Sequence, residues 1–169
     1  MRNEKGSTLI EVLLTIGIAS LIVGSAITIL LFGISSYNRA NEGSRVHQEL
    51  KLAGFAISNE IRRVRPDGVE LVDSNEVNVQ DGFSYFYLAS KNGKFELMQV
   101  SEGKSLAVTS EVITDIAFSV EKKGSQYYFV FEINSDKYSV ASEVLMPNIT
   151  NYPSEHLGIK RDAVRYLVR

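Results

Sequence analysis

Cysteine is absent from the 169 residues. That absence excludes disulfides, thiolate metal sites and cysteine nucleophiles together. Histidine is nearly as scarce, with only His47 and His156; His47 has no second His, Cys or carboxylate arranged around it at helical spacing and is assigned no role. No Gly-rich phosphate loop, G-x-S-x-G or H-E-x-x-H is found, so the chain is not expected to be an enzyme and no cofactor is implied. A basic field is missing as well. Net charge is −2 with a pI near 5.7, and the cluster Arg62, Arg63, Arg65 is too small to hold a nucleic-acid backbone. Direct nucleic-acid binding is not expected. Proline is confined to positions 66, 147 and 153, so nothing in the first 65 residues forbids a long helix.

The remaining absence is local. No residue between Glu11 and Arg39 is charged, and Val12 to Ile34 is mostly Leu, Ile, Val, Ala and Gly. As a helix this run covers about 35 Å, against a hydrocarbon core of about 30 Å. It exceeds the apolar region of about 7 to 15 residues in a secretory signal, and no small-residue cleavage site follows it. Arg2 and Lys5 precede the run while Arg39, Arg45 and Lys51 follow it, so the positive-inside count decides nothing about direction.

An acid at the start of such a run needs a reason, because burying an ionised side chain in hydrocarbon costs about 3 kcal/mol or more. Lys5 and Gly6 are followed by Ser7, Thr8, Leu9, Ile10 and Glu11, then by the apolar run. This order resembles the class III signal of type IV prepilins and pseudopilins. A single-pass anchor would tolerate each of these residues but does not require their sequence. The resemblance implies cleavage after Gly6 by a prepilin peptidase, with Ser7 as the new N-terminus and its amine as the site of methylation. Ser7 stands where the family usually has phenylalanine. Glu11 becomes the fifth residue of the mature chain, and the resemblance implies that the apolar helix forms the filament core. In that core the amine of a neighbouring subunit's Ser7 offsets the Glu11 carboxylate, so a mismatched step leaves a buried, unpaired acid. Until assembly the helix sits in membrane lipid.

Beyond the apolar run, Val46, Leu50, Ala53, Ile57, Ile61 and Val64 recur at steps of three and four, one stripe of a helix. The first helix is expected to continue to about Val64 and to end at Arg65-Pro66-Asp67-Gly68. From Val69 the period becomes two. "VELV", "EVNV", "FSYFYLA", "KFELMQV", "DIAFSV", "YYFVFEI" and "YSVASEVLM" read as strands between turn signals at Asp81-Gly82, Asn92-Gly93, Lys123-Gly124 and Ser135-Asp136. Asn92-Gly93 suggests a tight hairpin, and Lys123 to Gln126 a second. "FSYFYLA" carries large apolar groups on both faces and is expected at the centre of a sheet. Residues 147 to 169 stay open, with "DAVRYLVR" reading equally as a strand or a short helix.

The expectation is therefore an α+β, pilin-like chain, with an antiparallel sheet closing over the helix stripe. Its divisions are a leader (1–6), a membrane or filament-core half of the helix (7–34), an amphipathic half (35–65) and an exported sheet domain (66–169). Strand order and lengths resemble the larger minor pilins and pseudopilins of the PilW and GspJ kind. The cysteine pair that staples a C-terminal loop in many pilins is absent. The resemblance implies other pilin or pseudopilin subunits, an assembly platform and its ATPase as partners. It implies a cell-membrane location with the N-terminus cytoplasmic, then a surface pilus or periplasmic pseudopilus. Asp73 and Glu76 in "DSNE" read as solvated loop acids and not as a metal site, and Asn148-Ile149-Thr150 as a chance glycosylation sequon. The rival of another class is a single-pass, membrane-anchored sensor or binding protein, which would keep its leader and be indifferent to Glu11.

Overall fold

The computed structural model describes residues 4–77, 80, 82–91, 94–101 and 103–168. The chain is α+β, with one long N-terminal helix and antiparallel sheets. Helix α1 covers Glu4–Ile61 without interruption, as the lack of proline allows. Two units are distinguished, residues 1–44 and residues 45–169.

In the first unit every described side chain from Leu9 to Glu42 is exposed. In the second, the helix turns one stripe inward: Leu50, Ala53, Ile57 and Ile61 are buried, with Val46 packed at the edge of the same cluster. Gly54 is also buried in this stretch, and a Cβ placed there would lie 3.3 Å from Cε2 of Phe131. The sheet comes close enough here that a side chain would crowd the ring.

Strands β1 (Val64–Val72), β2 (Ser84–Lys91), β3 (Lys94–Ser101), β4 (Lys104–Ala107) and β8 (Ala163–Val168) form a five-stranded sheet in the order β1-β8-β2-β3-β4. Strands β5 (Asp115–Lys123), β6 (Gln126–Asn134) and β7 (Ser139–Leu145) form a second sheet in chain order. The single sheet expected from the sequence is thus two. One apolar cluster joins them to the helix stripe. It includes Phe86, Leu97, Val164 and Tyr166 from the first sheet and Phe118, Val120, Phe129, Phe131 and Ile133 from the second. Within it Phe86 stacks on Tyr166 at 5.3 Å, and Phe118 tilts against Phe129 at 5.5 Å, geometries that aromatic quadrupoles favour. In β6 burial alternates, Tyr127, Phe129, Phe131 and Ile133 pointing in, as the period of two requires.

Two further sequence expectations are corrected. The helix ends at Ile61, not near Val64; Arg62 and Arg63 make the turn, with Arg62 N donating to Ser58 O and Arg63 N to Glu60 O. Val64 keeps the phase of the stripe and is buried, but as the first residue of β1. Pro66 therefore lies inside a strand and does not stop the helix. The strand tolerates it because β1 is an edge and its register to β8 shifts between Val64 and Val69. At that irregularity a Cβ on Gly68 would meet the Arg65 and Leu167 carbonyl oxygens at 3.1 Å. "EVNV" is the other correction: a 3-10 turn occupies Ser74–Glu76 and Val77 is outside any strand, while Asn78 and Val79 lie outside the described residues.

The hairpins follow the sequence more closely. Lys91 pairs with Lys94, which leaves two linking residues, although Asn92 and Gly93 themselves lie outside the described residues. Lys123 pairs with Gln126, and Gly124 adopts φ +65°, the positive value that a two-residue hairpin link needs at its first position. Asp81 is outside the described residues, while Gly82 has φ +87°. "FSYFYLA" supplies β2, flanked by β8 and β3, so its central place is as expected. The C-terminal segment resolves as β8, inserted between β1 and β2.

Candidate processing and assembly site

Gly6 and Ser7 both lie in the first turns of α1, and Glu11 follows one turn later with its side chain exposed. Glu11 has no ion-pair partner among the described residues. A carboxylate exposed on one helix face, ahead of an uncharged segment, is available to a group from outside this chain.

The segment that follows suits lipid in a second respect. The hydroxyls between Val12 and Ile34 are satisfied within the helix: Thr15 Oγ1 donates to Glu11 O at 2.7 Å, Ser20 Oγ to Gly17 O at 2.8 Å, Ser25 Oγ to Ile22 O at 2.8 Å and Thr28 Oγ1 to Gly24 O at 2.9 Å. A free hydroxyl in hydrocarbon would cost several kcal/mol, about 4 or more on cyclohexane scales; bonding back to the preceding turn removes most of that cost. The helix is long and apolar enough to cross a membrane, and its apolar window is entirely unburied, unlike the core helix of a soluble protein. At Gly17, Gly24 and Gly33 an added Cβ would meet nothing within 4 Å. Among the described residues no neighbour requires their small size, which leaves room for another helix to approach closely.

Among the described residues no group of three or more His, Asp or Glu is arranged to hold a metal. Asp73 pairs with Arg161 at 3.5 Å. Ser74 donates through its main-chain N, at 2.7 Å, and through its hydroxyl to the carboxylate of Asp162. These contacts fasten the segment after β1 to the start of β8. His47, half-buried, lies 5.9 Å from the ring of Tyr138. Asn148 is engaged too, its Nδ2 donating to Val64 O at 3.0 Å.

Sequence reasoning missed the contacts that hold the second unit together. Ser110 donates through N at 2.8 Å and Oγ at 2.9 Å to the two carboxylate oxygens of Glu49 on α1. Arg165 pairs with Glu70, donates to Gln80 Oε1 at 3.2 Å and lies over the Phe83 ring at 4.7 Å. Nothing in the sequence signals these pairings, because the partners are about 60 to 95 residues apart.

Residues 1–27 match the family model of the prokaryotic N-terminal methylation motif. No curated protein matches the chain, and neither does any solved structure. The matched segment contains Gly6, Ser7, Glu11 and most of the apolar run, and it supports a type IV pilin-like, prepilin-processed chain; the long apolar helix is consistent with a membrane anchor.

Proposed function

We propose that this chain is a structural subunit of a type IV filament, in the role of a minor pilin or pseudopilin. A prepilin peptidase cleaves it after Gly6 and methylates the Ser7 amine. The helix then holds the subunit in the cell membrane, N-terminus cytoplasmic, until an assembly platform and its ATPase move it into the filament beside other subunits. Glu11 pairs there with the amine of a neighbour's Ser7. One observation carries this reading: an unburied helix with no charge from Val12 to Asn38 begins beside an exposed acid, within the stretch that matches the methylation motif. No step of this role requires catalysis by the chain.

Its test is intact-mass and N-terminal analysis of the chain expressed with and without a prepilin peptidase. Loss of residues 1–6, with Ser7 at the N-terminus, is the expected result. An unprocessed chain in cells that cleave a control prepilin would refute it and leave the membrane-anchored binding protein as the account.

A further inference from the structure

Among the described residues the two sheets end in four edge strands, β1, β4, β5 and β7, and three of these are blunted. β1 carries Pro66 and a shifted register. β4 is four residues long and opens with Lys104. β5 is covered by the segment before β8: Gly158 N donates to Val120 O at 2.9 Å, Phe118 N to Arg161 O at 2.7 Å and Arg161 N to Phe118 O at 2.9 Å. Such features protect an edge against the addition of a foreign strand. β7 has none of them. Its seven residues, Ser139–Leu145, contain no proline, glycine or lysine, and its register to β6 is unbroken. Ser135 N donates to Tyr138 O and Met146 N to Tyr127 O, so the alternation of an antiparallel ladder turns Val140, Ser142 and Val144 toward β6 as well. The N–H and C=O groups of Ser139, Ala141, Glu143 and Leu145 therefore point away from the sheet, unpaired among the described residues.

Helix α1 runs beside this edge. His47 lies against the ring of Tyr138, and a Cβ on Gly54 would reach Val140; Lys51 and Ser58 share that flank of the helix by spacing, with Phe55 and Arg62 next to them. Ser142 points to the same side of the sheet as the buried Val144, yet it is exposed, so the space beside it is unfilled. Phe55 is 66% exposed. Lys51 and Arg62 are exposed and without an acidic partner among the described residues, while the one acid of β7, Glu143, is paired with Lys123. We propose that the β7 edge accepts an extended segment of a partner protein whose helix-side residues combine acids with a large apolar side chain. Main-chain bonds to Ser139, Ala141, Glu143 and Leu145 hold the added strand. Its acids meet Lys51 and Arg62, and its apolar residue meets Phe55 over Ser142. Charge selects against a second copy as the occupant, because pairing β7 with β7 brings two cationic helix flanks together on one face of the joined sheets. The proposal goes beyond the filament reading and does not depend on it.

The test uses the full chain in detergent micelles and a pool of synthetic peptides as long as β7, with threonine at alternate positions and Asp, Glu, Val, Leu or Phe at the others. A matched pool carries Lys and Arg in place of Asp and Glu. The expected result is that the chain retains the acidic pool about tenfold better than the basic one, and that the retained peptides slow amide hydrogen exchange in β7 but not in β4. Ala141→Pro removes an outward N–H at an edge position that tolerates proline, and is expected to abolish retention at an unchanged thermal midpoint. If that variant melts early, Lys51→Glu combined with Arg62→Glu decides instead: both residues are exposed, and the preference between the pools should reverse. Equal retention of the two pools, retention without protection of β7, or no retention overturns the proposal. So does full retention by a normally melting Ala141→Pro chain, or an unchanged preference in the double variant. Concentration-dependent protection of β7 in the chain alone overturns it too, by making a second copy the occupant.

Discussion

The side-chain amide of Asn148 donates a hydrogen bond to the main-chain carbonyl of Val64, 3.0 Å away and 84 positions earlier in the chain. Val64 is the residue at which the helical stripe passes into β1, so the bond ties the segment after β7 to the junction between the helix and the five-stranded sheet.

Asn148→Ala removes the donor and is expected to lower stability by about 1 to 2 kcal/mol. Asn148→Asp costs more, since it sets a carboxylate oxygen against a carbonyl oxygen. Urea unfolding checks both, with the midpoint falling and the slope unchanged. The same bond occupies the nitrogen that glycosylation of the Asn148-Ile149-Thr150 sequon would need, and Ile149 beside it is buried. A chain passed through a glycosylating host is expected to show no added mass at Asn148.

Gly54 makes a different test of packing. A Cβ there would lie 3.3 Å from Cε2 and 3.5 Å from Cζ of Phe131, and 4.0 Å from Cγ1 of Val140. Alanine gains about 1 kcal/mol of helix propensity but must push aside a ring that is itself fully buried. The two effects nearly cancel, so Gly54→Ala is expected to change stability by less than about 1 kcal/mol. Gly54→Val adds two methyl groups to the same crowded site and is expected to cost about 1 to 3 kcal/mol. A thermal melt of both variants separates them, and equal stability of the two would show that the helix can move off the sheet at this point.

How much of this was legible in the sequence depends on the range of the signal. The helix, its buried stripe and strands β2, β5, β6 and β7 follow from periodicity within about ten residues, and the structure has them. The helix end was overshot because Val64 satisfies the helical phase as well as the strand, and the deciding fact is its pairing opposite Val168. Strand β4 is four exposed residues, too few to show alternation. "DAVRYLVR" fits either element by composition, and its place between β1 and β2 is set by partners 76 to 104 residues earlier. The candidate site is the reverse case. Gly6, Ser7 and Glu11 are close neighbours in the chain, so their order alone is informative, whereas the ties of Glu49 to Ser110 and of Arg165 to Glu70 exist only after folding.

Alkaline pH should destabilise the second unit through two tyrosines. Burial, reinforced by the negative charge of Glu70, pushes the Tyr152 hydroxyl up to about 12. Burial and Glu60 raise Tyr166 too, against a hydrogen bond that Gln99 Nε2 donates to its oxygen at 3.2 Å. In the unfolded chain both titrate near 10. Their folded values are raised, so the stability they contribute is fully present below pH 10 or so and is lost as pH climbs through about 12. The urea midpoint of the intact chain is expected to fall steeply over that window. Tyr152→Phe leaves one fewer group to ionise and flattens the fall. An equally steep fall in Tyr152→Phe would assign the pH dependence elsewhere.

Glu11 offers the sharpest separation between an anchor and an assembling subunit. Its carboxylate is exposed and unpaired among the described residues, so Glu11→Ala is expected to leave membrane insertion and cleavage after Gly6 unchanged. In an apolar filament core the same position matters in two opposite ways. A carboxylate paired with a neighbour's Ser7 amine is compensated, while alanine leaves that amine buried alone, at a cost of about 3 to 5 kcal/mol. The variant should therefore be processed normally yet lose most of its incorporation into filaments, read as the ratio of sheared to membrane-bound chain. Glu11→Gln keeps the shape and some hydrogen-bonding capacity but not the charge, and should fall close to alanine if charge is what the amine requires. Incorporation of both variants at the level of the unaltered chain would remove Glu11 from assembly while leaving processing after Gly6 intact.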